Sequence, residues 1–229
     1  MKRTDGRTPD QMRPIKAEVG VIPNADGSAM FSAGKTIAYA AVYGPREMYP
    51  RFMQNPKQGV LRCTYNMMPF SGHGDRVRPG GSRRSKEISA VTENALRPVL
   101  DLSDYPNAAV DVFIELTQTD GGTRCAGITA AAMALADAGL KMKDLVSAMS
   151  MGMLEGEMVV DINGTEDCVL GATDVPIALI PNMDKISLLQ LDGEISRETL
   201  KKLLDTGKKK CLEIYKAQQN ALKEKYKVD

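Results

Sequence analysis

The sequence predicts an α+β fold in which helices pack on mixed β-sheets, and three observations carry that prediction. Apolar residues alternate with period two near the N-terminus, the period turns helical from Ser85, and several short strand-like runs precede a long amphipathic C-terminal stretch. The 229 residues are 43% hydrophobic and 26% charged, the balance of a chain that buries a core rather than staying disordered.

Residues 1–13 are polar and read as an N-terminal arm, which leaves 14–229 as a single domain. Pro14 opens a run in which Ile15, Ala17, Val19 and Val21 alternate with other residues, as in a half-buried strand. Residues 24–28 supply turn chemistry, and the runs 29–31 and 36–43 form a hairpin ended by Gly44-Pro45. A basic, proline-containing loop over 45–59, a strand over 60–68 and a glycine- and arginine-rich connection over 71–84 come next. From Ser85, Ile88, Val91, Ala95, Leu96 and Val99 share one helical face. A strand over 109–116 and a turn holding Gly121-Gly122 lead into a helix over 125–138, ended by Gly139. That helix is almost all Ala, Gly, Ile and Met, so it should lie at close range against a sheet. Strands over 145–150, 157–162, 176–180 and 186–191 follow, with turns at Asn163-Gly164 and Asp192-Gly193, and an amphipathic helix from about Ser196 closes the chain.

Composition narrows the function. Lys+Arg 30 against Asp+Glu 29 gives a net charge of +1, so a polyanion would have to bind a local patch. His73 is the single histidine, which rules out a two-histidine zinc site. The four cysteines, 63, 125, 168 and 211, contain no CxxC pair and read as reduced thiols. No stretch approaches the roughly 20 apolar residues of a membrane span, and the expected compartment is the cytoplasm.

Three constellations could carry chemistry. In Thr119-Asp120-Gly121-Gly122-Thr123-Arg124, two glycines let the backbone approach a ligand where the first helical N–H groups lack partners. Arg124 and the Thr123 hydroxyl would complete an oxyanion clamp; the same pattern also fits an ordinary strand-to-helix turn. Arg83 and Arg84 arrive at a helix start, where cations oppose the macrodipole and call for an anion, unless the helix begins only at Ser85. Arg46, Arg51, Lys57 and Arg62, interleaved with Tyr43, Tyr49, Phe52 and Tyr65, suit a single-stranded nucleic acid track. The third is acidic: Asp161, Glu166, Asp167 and Asp174 surround the Asn163-Gly164 turn and fit a divalent-metal site, a general acid or a solvated hairpin tip.

A resemblance joins these pieces. Arg3-Thr4-Asp5-Gly6-Arg7, Met12-Arg13-Pro14-Ile15, Ala25-Asp26-Gly27-Ser28-Ala29, Val42-Tyr43-Gly44-Pro45-Arg46-Glu47, Tyr65-Asn66-Met67-Met68-Pro69-Phe70-Ser71, Arg83-Arg84-Ser85, Gly121-Gly122-Thr123-Arg124, Ala136-Asp137-Ala138-Gly139 and Asp174-Val175-Pro176 occur in order across nearly the whole chain. In these motifs the chain resembles the catalytic RNase PH-type subunits of the archaeal exosome. The resemblance implies the RNase PH fold, related to the second domain of ribosomal protein S5. It also implies a phosphorolytic 3′ to 5′ exoribonuclease that uses inorganic phosphate as co-substrate, releases nucleoside 5′-diphosphates and can run backwards to add a 3′ tail. Implied partners are single-stranded RNA, a paralogous RNase PH-like subunit in a heterohexameric ring, and cap proteins with S1 and KH domains; Mg²⁺ is an optional assistant.

Carried over by motif, Gly122, Thr123, Arg124 and Arg84 would bind phosphate, and Asp174 would be the general acid with Asp167 a second catalytic acidic position. Arg83 would hold RNA phosphates and Tyr65 would stack on a base, while Arg46, Lys57 and Arg62 extend the RNA track. The interval from Asp167 to Asp174 is one residue longer than is usual in the family. Two other readings remain: a ring subunit that binds RNA without cleaving it, and a two-metal hydrolytic nuclease built on Asp161, Glu166, Asp167 and Asp174.

Overall fold

The computed structural model describes residues 3–73, 76–78 and 81–227. Gly74, Asp75, Pro79 and Gly80, part of the glycine- and arginine-rich connection, lie outside the described residues, as do the first two and last two positions.

The alternating N-terminal residues form β1 (Ile15–Val19), antiparallel to β2 (Gly27–Ala33), which turns back into β3 (Thr36–Glu47). β3 continues past Gly44-Pro45, where the sequence predicts its end, because a register shift between Tyr43 and Arg46 absorbs the irregularity. β4 (Val60–Met67) and β5 (Ala108–Gln118) run parallel, joined through α1 (Arg83–Leu96) as the crossover that parallel strands require. The strand order of this five-stranded sheet is β1-β2-β3-β5-β4.

α2 (Thr123–Asp137) then leads to a second sheet made of β6 (Ser147–Leu154), β7 (Glu157–Val160), β8 (Thr173–Ile180) and β9 (Lys185–Leu189), in the order β7-β6-β8-β9. A short helix, α3 (Gly164–Cys168), connects β7 to β8, and α4 (Arg197–Lys225) closes the chain. The predicted Asn163-Gly164 turn is therefore a helix start. Asn163 accepts from the Glu166 N–H while the Glu166 side chain accepts from the Asn163 N–H, a reciprocal capping box.

α2 contacts both sheets, and its small residues are what permit this. A Cβ at Gly27 of β2 would collide with the Ala134 carbonyl and the Ala138 N–H at the end of α2. A Cβ at Gly127 would lie 3.1 Å from Ile114 and 3.5 Å from the Tyr65 ring. Ile128, Met133 and Leu135 are fully buried, each contributing about 1.5–3 kcal/mol of apolar burial. On α4, Leu203, Cys211, Ile214 and Ala221 are the buried stripe, and the helix packs on β1 and β6.

Residues 3–13, read from sequence as a polar arm, lie along the β7–α3 connection. The Val160 N–H donates to the Pro9 carbonyl at 2.8 Å, and both Arg3 and Arg13 are buried. Across β6 and β8, Gly152 stands opposite Asp174, and a Cβ there would collide with the Thr173 carbonyl and the Ile162 side chain. Gly152→Ala should therefore cost about 3 kcal/mol, read as a melting temperature lower by roughly 6–12 °C, and should reduce activity by displacing the strand that carries Asp174.

Candidate active site

Three segments distant in sequence converge on one cavity of about 580 Å³: the β5–α2 turn, the start of α1, and the α3–β8 region. The turn is built by glycine. Gly121 (φ 73°) and Gly122 (φ 63°) both take left-handed backbone, and Gly122 is the N-cap residue of α2. No side chain caps this N-terminus, so its first N–H groups face the cavity beside Thr123 with the positive end of the helix dipole behind them.

Arg124 follows one residue into the helix and also lines the cavity. Its Nη1 donates to Gln190 Oε1 at 2.6 Å, and its Nη2 lies 3.5 Å from Glu87 Oε2. Gln190 Nε2 donates to Glu87 Oε1 at 3.1 Å, which closes a three-residue bracket. The buried Nε of Arg124 has no hydrogen-bond partner. Opposite, α1 begins at Arg83 rather than Ser85: Ser82 caps it by accepting from the Ser85 N–H at 3.0 Å. Arg83 and Arg84 thus occupy the first turn, and neither forms a salt bridge among the described residues. Arg84 lines the cavity and Arg83 is exposed beside it.

The acidic residues divide. Asp167, on α3, and Asp174, on β8, both line the cavity despite their longer spacing, because the one-turn helix and the left-handed Gly171 (φ 66°) take up the intervening chain. Burial pushes the Asp174 carboxyl up; the Ser150 hydroxyl, which donates to its Oδ1, opposes this, and the Asp167 charge adds to it. Asp167 is likewise raised by burial, with Arg84 pulling the other way. Two carboxyls shifted towards the protonated form and lining one cavity with Arg84 and Arg124 suit proton donation.

Asp161 and Glu166 do not belong to this set. Both are buried in ion pairs, Asp161 with Arg13 and Glu166 with Arg3. The two-metal reading needs all four carboxylates in one place, and the structure separates them. Among the described residues, no three His, Cys, Asp or Glu side chains are grouped so as to hold a metal ion.

The expected RNA contacts are also redistributed. Tyr65 is only 1% exposed, on the same face of β4 as Leu61, so its ring is core and has no free face on which a base could stack. Its hydroxyl lies near Thr123. Arg62 is paired with Asp111 at 2.6 Å on the other face of the sheet. Arg46 stands over the Tyr43 ring and lies 3.5 Å from Asp26, and Lys57 is exposed in the loop before β4. None of these four residues lines the cavity. Ser150, Glu87 and Gln190 take part in the site and were not singled out from sequence; no local pattern marks them.

A glycine-built anion turn, a second cationic helix start and two carboxyls with raised pKa values lining one cavity define a phosphoryl-handling enzyme. The chain belongs to the RNase PH family. The model for "3' exoribonuclease family, domain 1" matches residues 11–141 and that for domain 2 matches residues 144–210. Among curated relatives, the chain is 51% identical over 225 residues to the exosome complex component Rrp41 of Thermococcus kodakarensis, covering 98% of this chain and 90% of that protein. It is 50% identical over 224 residues to Rrp41 of Methanopyrus kandleri, covering 98% and 93%. Its fold is similar to that of rice Rrp46, with a TM-score of 0.85, 26% identity and coverage of 96% and 100%. It is also similar to a chain of the Archaeoglobus fulgidus exosome with RNA bound to the active site, with a TM-score of 0.80, 25% identity and coverage of 99% and 93%.

Proposed function

We propose that the chain is the catalytic, phosphorolytic subunit of an exosome ring, shortening single-stranded RNA from its 3′ end. Orthophosphate sits at the start of α2, held by the Gly122 and Thr123 backbone, the Thr123 hydroxyl, Arg124 and Arg84. One of its oxygens attacks the phosphorus of the terminal phosphodiester. The bond from that phosphorus to the 3′ oxygen of the preceding nucleotide breaks, Asp174 gives its proton to that oxygen, and a nucleoside 5′-diphosphate leaves. The reverse reaction, tailing, returns the proton to Asp174. Positioning and charge neutralisation supply most of the rate, as expected of phosphoryl transfer.

The observation that carries this reading is the convergence of Thr123, Arg124, Arg84, Asp167 and Asp174 on one cavity. Arg83, beside it, holds the backbone of the RNA entering the site. Arg46, Lys57 and Arg62 lie on or near β3 and β4, away from the cavity, and would meet RNA only farther upstream. Mg²⁺ bound with the substrate phosphates would be held by the Asp167 carboxylate and would add neutralisation of phosphate charge. Residues 14–229 form one domain on which 3–13 pack, assembled with a paralogous RNase PH-like subunit and with S1- and KH-domain caps, in the cytoplasm. No helix among the described residues is long and apolar enough to cross a membrane.

Product identity tests the reading. The chain, alone and mixed with the paralogous subunit, is incubated with a 3′-unstructured RNA in the presence and absence of orthophosphate. Nucleoside diphosphates that appear only with phosphate are the expected result. Monophosphates without phosphate would replace phosphorolysis by hydrolysis, and RNA binding with no product from either mixture would leave a structural ring subunit.

A further inference from the structure

The stretch 3–13 carries three arginines, Arg3, Arg7 and Arg13, that the reaction above does not use. We propose that this stretch is a positioning strap for the site, with Arg13 fixing the phosphate turn relative to helix α3, which carries Asp167; this rests on the phosphorolytic reading and names a further residue for it.

Arg13 is buried, its side chain 6% exposed. Its Nε and Nη2 donate to the two carboxylate oxygens of Asp161 at 2.9 and 2.6 Å, and its backbone N–H donates to Asp161 Oδ2 at 2.8 Å. The remaining arm of the fork, Nη1, donates to the Asp120 carbonyl, the last peptide group before the glycine pair. One planar guanidinium therefore ties the residue that opens the phosphate turn to the residue two positions before the N-cap of α3. The two segments also touch directly. Asp120 Oδ1 accepts from the Gly164 N–H at 3.1 Å, and a Cβ at Gly121 would lie 2.6 Å from the Ile162 carbonyl oxygen. A Cβ at Gly122 would lie 3.3 Å from Arg13 Nη2, so the phosphate turn rests on the guanidinium itself.

Arg3 holds the far side. It pairs with both oxygens of Glu166 at 2.8 and 2.5 Å, with both side chains 0% exposed, and donates to the carbonyls of Val160 and Asp161 at 2.6 and 2.9 Å. Glu166 is the capping-box residue of α3, and the next residue is Asp167. Buried ion pairs add little net stability, since desolvation offsets their attraction, so a fixed geometry is the more informative consequence of this network. A displacement of about 1 Å in a positioned reactant can cost on the order of a hundredfold in rate.

Arg13→Lys keeps the charge against Asp161 but lacks the planar fork that also reaches Asp120. Measured in the assembly used for the phosphorolysis assay, it is expected to raise the KM for orthophosphate and lower kcat, each about tenfold, with the dissociation constant for RNA in phosphate-free buffer and the melting temperature near those of the wild type. The double variant Arg13→Met/Asp161→Asn, which removes both buried charges, is expected to show the same kinetic change. A folded Arg13→Lys protein with wild-type KM and kcat, or one that loses RNA affinity alone, overturns the strap while leaving phosphorolysis intact. If neither variant folds, the stretch is a folding element and the proposal fails. If the wild type itself makes no diphosphate, the phosphorolytic reading fails first and the strap with it.

Discussion

Asp174→Asn is expected to lower phosphate-dependent RNA shortening at least a hundredfold while leaving assembly intact and raising the melting temperature at neutral pH. The first effect is the loss of a positioned proton donor, typically worth about 10²–10⁴ in rate. The second follows from the raised pKa. Burial makes the ionised Asp174 carboxyl less favourable in the folded chain than in the unfolded one, so at neutral pH it costs stability that asparagine does not. The stabilisation by asparagine should fade as pH falls through the raised folded pKa and be gone below about pH 4, where aspartate is protonated in both states. Asparagine still presents an oxygen to the Ser150 hydroxyl, so the β6–β8 pairing has no reason to move. A calorimetric scan beside a diphosphate-release assay reads both effects; retained activity removes Asp174 as the acid.

The raised pKa of Asp174 also sets the sign of the pH profile. An acid that must be protonated loses activity as pH rises through its own pKa, so Asp174 sets the basic limb. Asp167 raises that pKa by repulsion, and Asp167→Asn should move the basic limb to lower pH. An unmoved limb in that variant would mean that the two carboxyls are not coupled during turnover.

How much of this site could be read from the chain depended on how local each signal was. Gly121-Gly122-Thr123-Arg124 declares itself because the tight turn, the uncapped helix and the cation all lie within four residues. Asp174 is recognisable from the strand that Val175-Pro176 opens behind it. The Arg124 bracket is not local: Gln190 is 66 residues away and Glu87 is 37 away, and only the packing of α1 against β9 brings them together. Two features are local in sequence yet point the wrong way. The Asn163-x-x-Glu166 pattern of a capping box lay beneath what looked like a hairpin turn. Tyr65 follows Leu61 at an interval of four, which puts both on the inner face of β4. The N-terminal arginines mislead for a different reason: polar composition implies solvent, yet Asp161 and Glu166, more than 140 residues on, draw Arg13 and Arg3 into the interior.

Arg124→Met is expected to produce the other large effect, and its form discriminates between two roles. If Arg124 holds the attacking phosphate, the loss of two charge-assisted hydrogen bonds should cost about 3 kcal/mol or more, roughly 150-fold in kcat/KM, and much of it should appear as a raised KM for orthophosphate. Arg124→Lys should recover little, because a point charge cannot fill both the bracket with Gln190 and Glu87 and the anion site. If Arg124 instead grips the RNA backbone, the KM for phosphate stays put and the affinity for RNA falls. A second signature separates loss of the guanidinium from general disruption. Arg124 lowers the Asp174 pKa by its charge, so its removal should push the basic limb of the pH profile upwards, opposite to the shift from Asp167→Asn. Two substitutions around one carboxyl that move a single limb in opposite directions are hard to obtain from unfolding, and they show that the cation and the second carboxyl both act on the proton that is transferred.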